Sequence, residues 1–320
     1  MRKIALFLLI TAFTLANGVS FTLNNYSLFY NFEYKDNPYY DGRTFFGDTM
    51  EGFFSFSVNK QVTADVGVIL WRFYGGDREL LPYFSISFTP KPWFTFVFGN
   101  IKRFHGLHRS IFFDTFYYDR PAERGFQLLF NGKRTRGDIW INWQREMRVL
   151  VQEKFDVGAV FSYDLDPLSF DFQYHYIHYG GEYLEHHAGP RDETALMGRL
   201  NFATPQTSIG RLKLSLAFFR TYYIPDRWLN EILKGKGWEA RLSWENRIIN
   251  TFISYWKGEG FYHEDGDPLY QGKELLVIGL EKAVKLKDFQ FRLILTSGWV
   301  EGVWVPYQKI EVRWSHSFAL

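Results

Sequence analysis

Along most of this chain apolar and polar residues alternate one by one, and that period of two limits the fold more than any other feature. Leu168, Phe170, Phe172, Tyr174 and Tyr176 share one face of an extended segment, with Ser169, Asp171, Gln173 and His175 on the other. Leu212, Leu214, Leu216 and Phe218 oppose Lys213, Ser215 and Ala217 in the same way, and Phe289, Phe291, Leu293 and Leu295 oppose Gln290, Arg292 and Thr296. A strand sends neighbouring side chains to opposite faces, whereas a helix would scatter these residues around its circumference. About sixteen such segments are predicted, near residues 26–34, 51–58, 62–73, 82–89, 93–100, 125–131, 137–145, 154–163, 168–179, 193–202, 211–222, 237–245, 248–257, 274–282, 288–298 and 307–318. The segment at 193–202 also fits a helical spacing through Leu196, Met197, Arg199 and Leu200.

Composition decides what the apolar faces meet. Aromatic residues make up 20% of the chain, yet mean hydropathy is only −0.23. A water-soluble protein would have to bury a very large share of these rings, while a membrane barrel can face them to lipid and to the interfacial belts. At the N-terminus Arg2 and Lys3 precede an apolar run from Ile4 to Leu15, followed by Ala16-Asn17-Gly18. That is the pattern of a secretory leader, expected to be cleaved after Gly18 so that residues 19–320 form a single barrel domain. Losing Arg2 and Lys3 turns 37 basic and 35 acidic residues into 35 of each, which gives a nucleic-acid partner no support. With no cysteine, disulfide staples and thiol catalysis are excluded.

The C-terminal segment carries a resemblance. Ile310, Val312, Trp314, His316 and Phe318 face one way, and Lys309, Glu311, Arg313, Ser315 and Ser317 the other. An amphipathic strand closing on an aromatic resembles the last strand of bacterial outer-membrane β-barrels, although Ala319 and Leu320 follow Phe318 here. The connections fit, since short links (59–61, 90–92, 131–136, 164–167, 246–247, 283–287) alternate with long ones (35–50, 74–81, 101–124, 146–153, 180–192, 223–236, 258–273, 299–306). The expected fold is therefore all-β, an antiparallel transmembrane barrel of about sixteen strands with short periplasmic turns and long external loops. In architecture this resembles the general porin family, sixteen-stranded barrels whose third external loop folds into the pore. The resemblance implies a constriction at 101–124, with Lys102, Arg103, His105, His108, Arg109, Asp114, Asp119, Arg120, Glu123 and Arg124 as its charged residues. It also implies a homotrimer.

Alternation then assigns a lumen. Asp65, Asp138, Asp156, Asp171, Glu239, Glu281 and Glu311 are expected to point inward with Arg199, Lys213, Arg241, Arg292, Lys309 and Arg313. A cation facing lipid at the bilayer midplane costs about 2–4 kcal/mol, so these side chains must meet water or one another. About sixteen strands leave room for an aqueous channel, and about eight do not. The expected function is passive diffusion of small hydrophilic solutes or ions through a barrel surrounded by outer-membrane lipid. No cofactor, metal site or catalytic constellation is predicted: Ser315 and His316 are neighbours on opposite faces, and His105-Gly106-Leu107-His108 lacks an established zinc spacing. The cluster His175, His178, Glu182, Glu185, His186 and His187 is read as rim residues, and Glu264-Asp265-Gly266-Asp267 as an acidic turn able to bind calcium weakly. Pro225 to Gly235 reads as a loop helix. Inward Trp71 and Trp140 would suit saccharides. The alternatives are a barrel-embedded lipid hydrolase or acyltransferase, and a non-conducting receptor or structural barrel.

Overall fold

The computed structural model describes residues 18–33, 37–39, 41–148, 151–180 and 189–320. The expected leader, Gly18 apart, lies outside them, as do Glu182, Glu185, His186 and His187. The strands are β1 (Val19–Phe32), β2 (Arg43–Ser57), β3 (Val62–Phe73), β4 (Arg78–Lys91), β5 (Phe94–Asn100), β6 (Arg124–Asn131), β7 (Thr135–Arg145) and β8 (Glu153–Leu165). They continue with β9 (Leu168–Gly180), β10 (Arg191–Ala203), β11 (Arg211–Ile224), β12 (Leu233–Glu245), β13 (Asn250–Glu259), β14 (Glu274–Leu286), β15 (Phe289–Val300) and β16 (Val303–Ala319). Each pairs antiparallel with its sequence neighbours, and β1 closes on β16 from Ser20↔Ala319 to Phe32↔Tyr307. Closure leaves no edge strand, which a bilayer demands.

The period of two sets the two faces. Phe54, Val68, Phe84, Phe98, Ile139, Phe172, Leu214, Phe218 and Phe291 stand on the exposed outer wall. Thr49, Gln127, Trp140, Asp156, His175 and Glu239 lie buried inside. The segment at 193–202 is strand throughout, because its neighbours β9 and β11 supply ladder partners along its whole length. Loops differ more than strands do. The predicted link at 74–81 shrinks to residues 74–77, and that at 299–306 to Glu301 and Gly302, while the turn at 204–210 is longer than either. The predicted helix over Pro225–Gly235 is absent. Only a turn of 3-10 helix forms at Arg227–Leu229, capped by Asp226 accepting from the Trp228 amide at 2.7 Å, and Leu233 already begins β12.

The centre of the molecule is not empty. Residues 101–123 turn inward at Phe104 (φ 64°) and Gly106 (φ 79°) and contain one short helix, Phe116–Asp119. A left-handed conformation costs a bulky side chain roughly 1–2 kcal/mol. Phe104 is held there by Tyr117 (4.9 Å between rings), Tyr26 (5.3 Å) and the Arg313 guanidinium (4.0 Å). Beside this loop lies a second, residues 260–273. One apolar cluster joins both loops to the wall, from Tyr30 and Phe45 through Ile111, Phe112 and Tyr270 to Phe219 and Trp256. The outer half of the lumen is a packed core.

Candidate functional site

Ion pairs fix the loop over 101–123 to opposite sides of the wall. Arg103 reaches Glu51 on β2 at 2.7 Å. His105 lies between Glu123 (2.6 Å) and Asp138 on β7 (2.7 Å), with its ring stacked 3.6 Å from that of Trp140. Burial opposes charge on this imidazole, but the two carboxylates outweigh it and lift His105 to about 10. The His108 amide donates to Gln173 on β9 at 2.6 Å, and its ring lies 3.5 Å from Glu239 on β12. Asp114 pairs with Lys309 on β16, and the Trp71 indole on β3 donates to the Tyr118 carbonyl at 2.6 Å.

The second loop locks onto the first. Arg120 donates two parallel hydrogen bonds to Asp265, at 2.6 and 2.8 Å, and Arg109 meets Asp267 at 2.5 Å. Glu264 takes Lys154 (3.0 Å) and Arg191 (2.5 Å). The segment read as a calcium-binding acidic turn is instead buried, its carboxylates neutralised by arginine and lysine. Arg120 and Lys154 hold the Asp265 carboxyl well below its usual range in spite of complete burial. Next to it His263 Nε2 lies 2.8 Å from His175 Nδ1, while burial and His175 push His263 down to about 3. His175 and His178 do point to opposite sides of β9: the first meets His263 inside, the second meets Asp192 on the outer rim at 2.7 Å. Among the described residues no group of three or more His, Asp or Glu has a metal-binding arrangement.

The predicted wall residues all face inward, most of them already partnered. Asp156 accepts from Trp140, Asn142 and Gln144; Asp171 holds Arg199 at 2.9 Å; Glu281 holds Arg292 at 2.8 Å. Glu311 collects Lys309 (2.8 Å), Arg292 (3.5 Å) and Arg313 (3.7 Å), a denser knot than the cross-strand ladder that alternation suggests. Asp65 faces inward on β3, opposite Ser55 of β2. Two of the proposed constriction residues fall outside the loop's interior. Asp119 faces Arg43 near the rim at 3.4 Å, and Arg124 is an exposed residue that opens β6.

Below the loops two cavities remain. The larger, 990 Å³, opens between the short turns near Trp93, Asp166 and Pro167, with Lys102, Arg211 and Lys213 on its wall. The smaller, 450 Å³, lies against β12–β16 with Arg241, Arg292 and Arg313 on its wall, and Gly106 and Arg199 line both. Lys102, Arg211, Lys213 and Arg241 form no ion pair among the described residues; Arg241 rests on the Phe252 ring at 3.6 Å. These four cations share the cavity walls with acids, of which Asp164 and Asp166 lie at the mouth of the larger one and Glu281 and Glu311 line the smaller.

The family model described as lipid A 3'-O-deacylase-type matches residues 12–294. This chain belongs to that family. In structure it is similar to a loop-L8 deletion mutant of OmpT, an outer membrane protein of Vibrio cholerae (8% identity, TM-score 0.59, covering 94% of this chain and 100% of that one). It is similar too to Acinetobacter baumannii OccAB1 (9% identity, TM-score 0.54, 95% and 98% covered) and to OprD from Pseudomonas aeruginosa (12%, 0.51, 95% and 95%). At such identities the likeness establishes the fold, an outer-membrane barrel. No curated protein matches the sequence.

Three features of the lumen escaped sequence reasoning: Glu51 as the partner of Arg103, the His175–His263 contact, and the four-residue acidic segment as the partner of the first loop. One signal was available for the last. An inward loop rich in arginine requires buried acids somewhere, and residues 264–267 are the densest acidic segment in any of the loops.

Proposed function

We propose that this barrel is a selective outer-membrane channel for small anionic solutes, above all carboxylates, closed at rest by its own two inward loops. The observation that carries the reading is the set of cations without an acidic partner along the open part of the lumen, from Lys213 and Arg211 to Arg241. A guanidinium in a narrow, partly desolvated passage binds a carboxylate bidentately and strongly. One similar barrel, Pseudomonas aeruginosa OpdK (10% identity, TM-score 0.51, 95% and 100% covered), was solved with vanillate, an aromatic carboxylate. Reversal potentials in planar bilayers under a salt gradient test the proposal. Anion selectivity is expected, lost or inverted in Lys213→Glu combined with Arg241→Ala. Cation selectivity in the unmodified protein refutes it.

A second reading, a lipid-directed acyl hydrolase, is favoured by the family match and by one piece of geometry. His178 on the outer rim has Nδ1 at 2.7 Å from Asp192, which Arg227 and the Tyr176 hydroxyl (2.5 Å) also hold. An imidazole oriented by a carboxylate is the general-base half of a hydrolytic site. No serine or threonine hydroxyl hydrogen-bonds to His178 among the described residues, so water would have to be the nucleophile. Release of fatty acid from lipid A, abolished by His178→Ala with the barrel intact, would establish this reading. An unchanged low rate would remove it.

A further inference from the structure

The short-turn end of the barrel carries a charge pattern that neither conduction nor His178 uses. Three consecutive turns, at residues 58–61, 90–93 and 131–134, hold Lys60, Lys91, Lys133 and Arg134 and no acid. All four cations are exposed, and none forms an ion pair among the described residues. The remaining short turns are mixed or uncharged, with Asp166 and Asp288 beside Arg247 and Lys287. One sector of the mouth is therefore purely basic.

Hydrogen bonds join the three turns into one platform. The Asn59 side chain accepts from the Gln61 and Val62 amides at 2.8 and 2.9 Å, and the Gln61 side chain donates to the Pro90 carbonyl at 3.5 Å. Pro90 and Pro92 fix the backbone on either side of Lys91, and the Asn131 amide donates to the Trp93 carbonyl at 2.9 Å. Neighbouring turns lie two strands apart, so the cations spread over an arc of roughly 20 Å. A backbone set in advance lowers the ordering cost of binding. Among the cations stands Trp93, 54% exposed. Trp93 and Arg136 line the mouth of the larger cavity, so they are turned toward the barrel axis and away from the headgroups of the surrounding leaflet. What meets them arrives from the periplasm, the side that short turns face.

We infer that this platform docks the barrel onto a carboxylate-bearing glycan of the periplasm, the peptidoglycan layer. Carboxylates of the wall peptides spread over Lys60, Lys91, Lys133 and Arg134, and a sugar ring lies against the Trp93 indole. Three of the four unpaired cations are lysine, a residue depleted at protein–protein interfaces, which speaks against a folded protein as the partner. A compact ammonium on a flexible stem suits an extended polyanion whose charges have no fixed geometry. A rigid indole with one exposed face adds contact area at little entropic cost. The inference rests on the turns alone and on neither reading of the lumen.

The test sediments the full-length barrel, held in phosphatidylcholine nanodiscs, with purified peptidoglycan sacculi and measures the fraction in the pellet. Binding is expected at low salt and should weaken as salt rises, because exposed charges are screened. Lys60→Glu with Lys133→Glu should lower the affinity about tenfold, since two exposed pairs are lost and two repulsions added. Sacculi with amidated carboxylates should bind as weakly as that variant. Trp93→Ala should lower the affinity at every salt concentration, and Arg247→Glu, in a mixed turn across the barrel, should change nothing. Lys91→Gln, a milder change, should give a smaller loss and replaces the double variant if that one does not fold. No sedimentation with sacculi, or an equal loss in Arg247→Glu, overturns the inference. So does binding that follows phosphatidylglycerol added to the disc and not the sacculi, which would assign the cations to the inner leaflet. None of these results bears on the reversal potentials or the His178 assay, so this site stands or fails separately from them.

Discussion

Replacing Asp265 by asparagine should unlatch the two inward loops from one another without loosening the barrel. The carboxylate is fully buried, accepts both terminal nitrogens of Arg120 at 2.6 and 2.8 Å, and lies 3.8 Å from Lys154. Breaking a buried pair by removing one charge typically costs about 3–5 kcal/mol. The lower end applies here, because the Arg120 side chain is 25% exposed and Lys154 keeps Glu264. One hydrogen bond from Arg120 to the asparagine carbonyl recovers about 1 kcal/mol. The net is about 2 kcal/mol, roughly a thirtyfold shift toward the released loops. Hydrogen exchange with mass spectrometry reads this directly. The Phe113 amide donates to the Asp265 carbonyl at 2.6 Å, so protection in 101–123 and 260–273 should fall about thirtyfold while β1–β16 keep theirs. Openings in bilayer recordings should become more frequent by a similar factor. If protection is unchanged, or falls evenly over strands and loops, the latch is not where this geometry puts it. Arg120→Gln offers a cycle: the double variant should be little worse than either single one, and additive effects would show that the pair does not act as a unit.

Loop docking should be strongest near pH 6.5. His105 is raised to about 10 when folded, so its contribution is full below the ordinary histidine value and fades as pH climbs toward 10; His263 is lowered to about 3, so its contribution is full above the ordinary histidine value and fades as pH drops from there toward 3. Exchange protection of the two loops, followed from acid to alkaline pH, should peak between those limits, and a flat profile would refute the assignment. Gly158→Val should displace Trp140, whose ring occupies the space of the missing Cβ at 1.9 Å, and with it the stacked His105. A loss of about 1–3 kcal/mol in barrel stability is expected in urea titrations, with early loosening of the first loop. Arg103→Ala should leave Glu51 as a buried, unpaired acid, and raise single-channel openings relative to an Arg43→Ala control at the rim.

How far the structure could be read in advance follows the range of the interactions. Alternation is local: a strand reveals its faces within a few residues, so the number of strands, the outward Phe172 and Phe291, and the inward Asp171 and Arg292 were all legible. Strand ends were less so. β2 begins at Arg43, where Phe45 pairs with Tyr30 on the inner face in a region that reads as a loop. The loop helix failed for a related reason: Leu233 gains a ladder partner in Tyr223, a gain that helical spacing within 225–235 cannot register. Least legible were the contacts inside the lumen. Arg120 and Asp265 are 145 residues apart and His175 and His263 are 88 apart, so no window along the chain contains both partners.

The same contacts explain why the lumen is divided. An apolar plug by itself would close the barrel with little specificity, since rings at Tyr30, Phe112 and Trp256 pack with comparable gain in many arrangements. Charged pairs have fewer solutions. Arg120–Asp265, Arg109–Asp267, Arg103–Glu51 and Asp114–Lys309 each join the loop to a different partner, and any one displacement leaves a charge stranded in a dry interior. Charge pairing therefore selects the position of the loop, and aromatic packing supplies most of the cohesion. On the walls of the cavities below the loops Asp171–Arg199 and Glu281–Arg292 are still paired, but Arg241 and Lys213 form no ion pair among the described residues. On the proposed channel reading, an anion entering from the short turns would gain at those residues what the loops have already satisfied elsewhere, while a cation would meet the same residues as a barrier.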